Sequence, residues 1–121
     1  MTRVEKIDLS EKFGLFSDQW SPKIVAEVND VEVRLAKLEG EFVWHAHEDE
    51  DEMFLVVRGS LTIRLRDGEV TLGEGQMAVV PRGVEHLPVA EAEVQVLVLT
   101  PKSTVNTGDA GGERTKEAEW I

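Results

Sequence analysis

Gly40-Glu41-Phe42-Val43-Trp44-His45-Ala46-His47-Glu48-Asp49-Glu50-Asp51-Glu52-Met53-Phe54-Leu55-Val56-Val57-Arg58-Gly59 is the stretch on which the reading of this chain turns. His45 and His47 sit two apart in a predicted strand, Glu41 to His47. Side chains on a strand alternate between faces, so both imidazoles point the same way, and Val43 shares their face. The acidic run Glu48-Asp49-Glu50-Asp51 reads as a solvated turn, the setting in which adjacent carboxylates repel least. Glu52 opens the next predicted strand. An antiparallel return brings its carboxylate back beside the two imidazoles, with Phe54 and Val56 on the same inner face.

The chain holds three histidines in all, and the third, His86, follows the turn Pro81-Arg82-Gly83. A side chain just beyond such a turn can re-enter the space that His45 and His47 face. Imidazole nitrogen suits Zn, Cu, Fe and Ni, and a carboxylate oxygen adds Mn. His45, His47, Glu52 and His86 therefore make a complete candidate set for one divalent ion. With four protein ligands, an octahedral ion keeps two positions for water, O₂ or substrate, the openness expected of a catalytic site rather than a structural one.

Outward from this stretch the pattern is β. Lys23 to Val28, Val31 to Leu38, Glu69 to Leu72, Gln76 to Val80 and Glu93 to Thr100 read as strands. Ser60 to Arg66 alternates cleanly, with Leu61, Ile63 and Leu65 on one face and Thr62, Arg64 and Arg66 on the other. Asn29-Asp30 is a predicted turn. Asp67-Gly68 predicts a tight hairpin turn with both central residues at positive φ. Many short strands with Gly and Pro punctuation indicate an all-β sandwich or barrel. Helix is expected only as short turns near the ends, at Asp8 to Phe16 and around Glu117.

Two segments of the chain together resemble the cupin superfamily. The first is the opening stretch: Gly40, a spacer, His45-Ala46-His47, four residues, Glu52, six residues, Gly59. The second is Gly75-Gln76-Met77-Ala78-Val79-Val80-Pro81-Arg82-Gly83-Val84-Glu85-His86-Leu87-Pro88-Val89-Ala90. The likeness covers roughly residues 31–100. It departs from the family pattern in a first spacer one residue short and in Ala90, which stands where the family has Asn. Neither position is a ligand. The resemblance implies a double-stranded β-helix, or jelly-roll barrel, as a single domain over residues 1–121. It also implies metal ligation by His45, His47, Glu52 and His86, and pairing of outer sheet faces in a homodimer. Trp44, Met53, Leu55 and Val57, apolar and opposite the ligands, are the expected contact, unless Phe13, Phe16 or Trp20 covers them.

Acidic residues outnumber basic ones by 24 to 13, for a formal charge of −11. Nucleic acid is thereby disfavoured, since its phosphates need a basic footprint. Anionic membranes are disfavoured likewise, and no apolar stretch approaches a bilayer's thickness. Without cysteine, disulfides, thiolate ligands and Cys nucleophiles are excluded. Met1-Thr2-Arg3-Val4-Glu5-Lys6 lacks the apolar run of a secretory leader, so a cytoplasmic location is expected. The polar segment 102–121 is read as a partial lid or subunit contact, because it ends in Trp120-Ile121.

The expected ligand is a small molecule. Val43, Phe54, Met77 and Arg82 are candidate pocket walls. Arg82, beside the motif turn, is preferred over Arg34, Arg64 and Arg114 as an anion partner. No serine elbow, phosphate loop or dinucleotide fingerprint is present. Tyrosine is absent, and the histidines are committed, which leaves Glu52 and Glu85 as candidate proton shuttles. Two classes of function follow. One is a metalloenzyme with dioxygenase-like or Lewis-acid isomerase or lyase chemistry. The other is a non-catalytic module that binds a small sugar or carboxylate.

Overall fold

The structure, a computed structural model, describes residues 4–121. Met1-Thr2-Arg3, the start of the stretch read for a leader, lies outside the described residues. One short helix, α1 (Leu9–Phe13), is followed by eight strands: β1 (Lys23–Val28), β2 (Val31–Glu41), β3 (Glu52–Arg58), β4 (Leu61–Leu65), β5 (Gly68–Leu72), β6 (Met77–Val80), β7 (His86–Pro101) and β8 (Glu119–Trp120). The predicted strands form except Glu41 to His47, of which only Glu41 belongs to a strand, as the last residue of β2. α1 lies within Asp8 to Phe16, with the Asp8 carboxylate accepting from the Glu11 N–H as its N-cap. No helix forms around Glu117. That end is instead a two-residue strand, β8, which adds in parallel to β1.

β7 organises the barrel. It is 16 residues long and pairs with β2 along most of its length. Its first half also pairs with β4 and its second half with β3. The path β5-β4-β7-β2-β1-β8, with β3 and β6 branching from β7, is a jelly roll whose sheet does not close. Alternation then assigns the faces. Ala36 and Leu38, Phe54 and Val56, Leu61 and Ile63, and Val94, Val96 and Val98 fill the interior. The opposite face of β2 carries Leu35 into a second cluster with Phe13 and Val25, against which Val57 and Phe16 pack. β2 is therefore covered on both sides, and Val57 is covered by the N-terminal segment.

Turn chemistry differs in one place from the expectation. Leu65 pairs with Gly68, so the β4–β5 loop is Arg66-Asp67, and neither residue has positive φ. At the β1–β2 turn Asn29 does take the left-handed region, at φ 55°. Asn tolerates it because its side chain can bond locally.

Candidate metal centre

β2 does not run on to His47. It ends at Glu41, after a register shift between Leu38 and Gly40, and residues 42–51 are irregular. This loop is held from the other side. His45 and His86 exchange backbone bonds of 2.9 and 3.1 Å, and the Gly83 N–H donates to the His47 carbonyl at 2.8 Å. The segment Pro81 to His86 thus sets the position of the His45-Ala46-His47 loop directly. Glu52, first in β3, completes the group.

The four residues that the motifs single out come together. One ligand atom from each of His45, His47, Glu52 and His86 lies within 4.8 Å of all the others, and all four residues are buried. His45 Nδ1 lies 2.9 Å from the Val43 carbonyl, and His86 Nδ1 lies 2.9 Å from the Val84 carbonyl. A carbonyl only accepts, so each Nδ1 carries the proton and each Nε2 keeps its lone pair for the centre. Glu52 Oε1 stands 3.4 Å from His47 Nε2 and 3.5 Å from His86 Nε2. Glu52 Oε1, His86 Nε2 and both ring nitrogens of His47 are buried without a hydrogen-bond partner. Buried polar atoms are normally paired. Here a carboxylate oxygen and imidazole nitrogens converge in the interior without hydrogen-bond partners, an arrangement that could hold a cation.

The titration properties suit the same role. Desolvation, then the neighbouring His86, pushes His45 down from 6.5 to about 4, so its neutral, ligating form dominates at neutral pH. Burial acts to raise the Glu52 carboxyl, but the His47 and His86 imidazoles outweigh it and bring it to about 2, in its anionic form. The donor set of nitrogen and oxygen fits a first-row divalent ion such as Fe, Mn, Ni, Cu or Zn.

A cavity of about 60 Å³, measured as room for the centres of water molecules, opens beside the cluster and is bounded at one end by His45 and Glu52. Phe54 lies on its wall. The other three candidate wall residues do not. Val43 contributes its carbonyl to His45, while Phe42 takes the wall position, because the chain leaves strand geometry after Glu41 and the alternation shifts. Met77 pairs with Leu55, so it lies on the outer face, 55% exposed. Arg82 is exposed at the surface, where its side chain lies 3.7 Å from Asp51. Glu85 is exposed and paired with Arg66 at 3.1 Å, away from the centre. The arginine that does line the cavity is Arg34, buried at 4% exposure and held 2.8 Å from Glu32. Trp20 and Asn106 also reach the wall. Nothing in local spacing marks those two, because they come from the segments outside the motifs.

Residues 31–100 match the model of the cupin domain, and the chain belongs to that family. A Bacillus subtilis protein, YdbB, is 39% identical over 80 residues, which is 65% of this chain and 65% of that protein. The chain thus matches under two thirds of that relative's length. The crystal structure of a cupin-2 domain containing protein from Shewanella frigidimarina superimposes with a TM-score of 0.78 at 48% identity, over 78% of this chain and 93% of that one. Protein NMB1881 from Neisseria meningitidis gives 0.74 at 31% identity, over 80% and 99%. Among the described residues no helix is long and apolar enough to cross a membrane.

Proposed function

We propose that this cupin binds one divalent metal ion through His45, His47, Glu52 and His86 and acts as a metalloenzyme on a small organic molecule. The observation that carries the reading is the convergence of unpartnered buried donors, Glu52 Oε1 and the Nε2 atoms of His47 and His86, on one point. A bound ion supplies Lewis acidity or, with an oxidisable metal, O₂ chemistry. The chain's own part is fixed by named atoms. The carbonyls of Val43 and Val84 hold the Nδ1 protons of His45 and His86. His45 and Glu52 present the centre to the cavity, and Phe42 and Phe54 keep its wall apolar.

The second reading, a non-catalytic ligand-binding module, is favoured by one feature. Outside the cluster, among the described residues, no carboxylate, histidine or lysine lines the cavity. Among the described residues, Glu52 is the one acid–base candidate left there. Elemental analysis per chain of protein purified without added metal tests both readings. We expect about one Fe, Mn, Zn, Ni or Cu in the native chain and a clear loss in His45→Ala and His86→Ala. Unchanged stoichiometry in the variants would sink the site. Substrate-dependent O₂ uptake or turnover then separates enzyme from binder.

We also propose a homodimer. On the outer face, Val79, Met53 and Leu99 form one cross-strand row and Met77, Leu55 and Leu97 another. Met77 and Val79 are 55% and 54% exposed. Apolar rows of this kind mark interfaces. Trp44 is not part of it, since the Arg66 guanidinium covers its ring at 3.9 Å. Light scattering should give twice 13.5 kDa, and a 13.5 kDa particle would refute the dimer.

The segment 102–121 is proposed as a partial lid. Asn106 reaches the cavity wall, Asp109 accepts from the Ala46 N–H at 2.8 Å, and its own N–H returns to the Ala46 carbonyl at 2.9 Å. Gly108, at φ 53°, lies so close that any Cβ would collide with the Ala46 carbonyl and crowd His47 Nδ1.

A further inference from the structure

We infer that the cavity beside the cluster takes a small, largely apolar molecule with a single metal-seeking head group, and that it refuses polyhydroxylated molecules. The inference rests on the metal-centre reading for the head group and on the cavity wall alone for the rest.

Beyond His45 and Glu52 the wall is hydrocarbon and aromatic, with Leu38, Phe54, Val96 and Val98 along its sides. Among the described residues, the polar side chains that also reach it are committed to the protein. Arg34 directs Nε at Glu32 (2.9 Å), Nη1 at the Thr104 carbonyl (3.0 Å) and Nη2 at the Lys102 carbonyl (3.4 Å). Asn106 donates to the carbonyls of Trp20 and Arg114 and accepts from the Lys116 N–H. The Trp20 Nε1–H donates to the Glu39 carbonyl at 2.9 Å. A sugar entering here would meet the cluster with one or two hydroxyls and leave the others unpaired. Each such hydroxyl lowers affinity roughly tenfold or more. An alkyl chain meets the wall on its own terms.

Size adds a limit. About 60 Å³ open to water centres is room for a handful of waters, so a head group with a short chain fills it. The outer boundary is built rigidly. Trp20 is held at φ 59°, a region L side chains rarely occupy, by its backbone N–H to Lys37 as well as by its indole. Its ring stacks on Phe42, with centroids 4.6 Å apart and planes 6° from parallel. The Arg114 guanidinium lies 5.0 Å from the Phe42 ring centre and 5.6 Å from that of Trp20. This stack sets the longest chain the cavity accepts.

The test uses defined probes. Zinc-loaded full-length protein is titrated calorimetrically with acetohydroxamate, butyrohydroxamate and the hydroxylated four-carbon threonohydroxamate. We expect butyrohydroxamate to bind about fifteenfold more tightly than acetohydroxamate, from two buried methylenes. Threonohydroxamate should bind no more tightly than acetohydroxamate. Threonohydroxamate outranking butyrohydroxamate would overturn the inference.

Metal-free protein is titrated separately with 1-butanol and erythritol, and the methyl resonances of Val96 and Val98 are followed. Butanol should move them and erythritol should not. The reverse result, or no shift with either, refutes the apolar cavity. Failure of zinc to bind strikes the metal reading alone and leaves the butanol arm to decide. Trp20→Ala, or Phe42→Leu if that variant does not fold, should let hexanohydroxamate outbind butyrohydroxamate, an advantage absent in the native chain. An unchanged chain-length profile would remove the stack from its role.

Discussion

Two glutamates, Glu32 and Glu52, are buried to the same degree, each 7% exposed, and they are neutralised in opposite ways. Glu32 has its counter-charge within the chain. Arg34, on the same strand and face, stands 2.8 Å away and turns its other donors to the Lys102 and Thr104 carbonyls. Among the described residues, Glu52 makes no ion pair with a lysine or arginine, and its near neighbours are the His47 and His86 imidazoles at 3.4 and 3.5 Å. Its Oε1 and the facing Nε2 atoms of His47 and His86 are buried without hydrogen-bond partners. A folded chain does not leave a buried carboxylate uncompensated without a reason, because desolvating one ion costs several kcal/mol. The first site is complete as folded. The second has the donor set that could hold an ion from outside.

The comparison breaks most visibly at Arg34. Arg34→Met leaves Glu32 alone in the interior and should destabilise the protein by about 3–5 kcal/mol in urea unfolding, with or without metal. The double variant Glu32→Leu, Arg34→Met should recover most of that loss, because a packed apolar pair replaces the ionic one. At the other carboxylate the dependence on metal should be the reverse. Saturating metal at a thousandfold excess over Kd should add about 4 kcal/mol to the native chain. Glu52→Gln should weaken the metal more than about a hundredfold, beyond the usual cost of losing an outer partner, and its unfolding midpoint should barely respond to the same metal concentration.

The pH dependence sharpens the same point. His45 is held at about 4 rather than 6.5 and Glu52 at about 2 rather than 4.5. Both shifts favour the deprotonated, ligating forms of these two residues, so protons compete for His45 and Glu52 only well below neutrality. Metal retention, followed with a chromogenic chelator, should persist as the pH falls through 6.5 and fail on approach to about 4. Release centred near 6.5 would contradict the burial of His45. The smallest effect is expected at the clamp on the His45-Ala46-His47 loop. Asp109→Ala removes one part-buried bond to the Ala46 N–H and should cost about 1 kcal/mol, with less than a tenfold change in metal affinity by competition titration.

The candidate ligands were legible in the sequence and the walls were not, and the reason is register. A metal-binding group of this kind needs few residue types at fixed intervals, so His45, His47, Glu52 and His86 stand out in the one-dimensional pattern. A wall residue is defined by which face of which strand it occupies, and alternation does not say which face is inside. Met77 lies outward because it is paired with Leu55 rather than Phe54. Phe42 replaces Val43 because the strand ends at Glu41. Arg34 faces the cavity while Leu35 beside it faces the cluster under α1. Exposed Arg82, preferred for its nearness to the motif turn, shows that closeness in sequence to a ligand is a weak guide to closeness in space. The contribution of Trp20 and Asn106 is readable only after residues distant in the chain have been folded together.

The length of β7 has a further consequence, for the order of events in time. His86 is its first residue, and the rest of the strand must pair with β2, β3 and β4, partners that lie far away along the chain. Pairings of that kind close late and slowly, because the intervening loop entropy is lost before any contact rewards it. His45, His47 and Glu52 cannot meet His86 until they have closed. An ion bound there would therefore be a late arrival, a bolt shot after the door has shut. It should slow unfolding in proportion to its affinity and leave the refolding rate where it was.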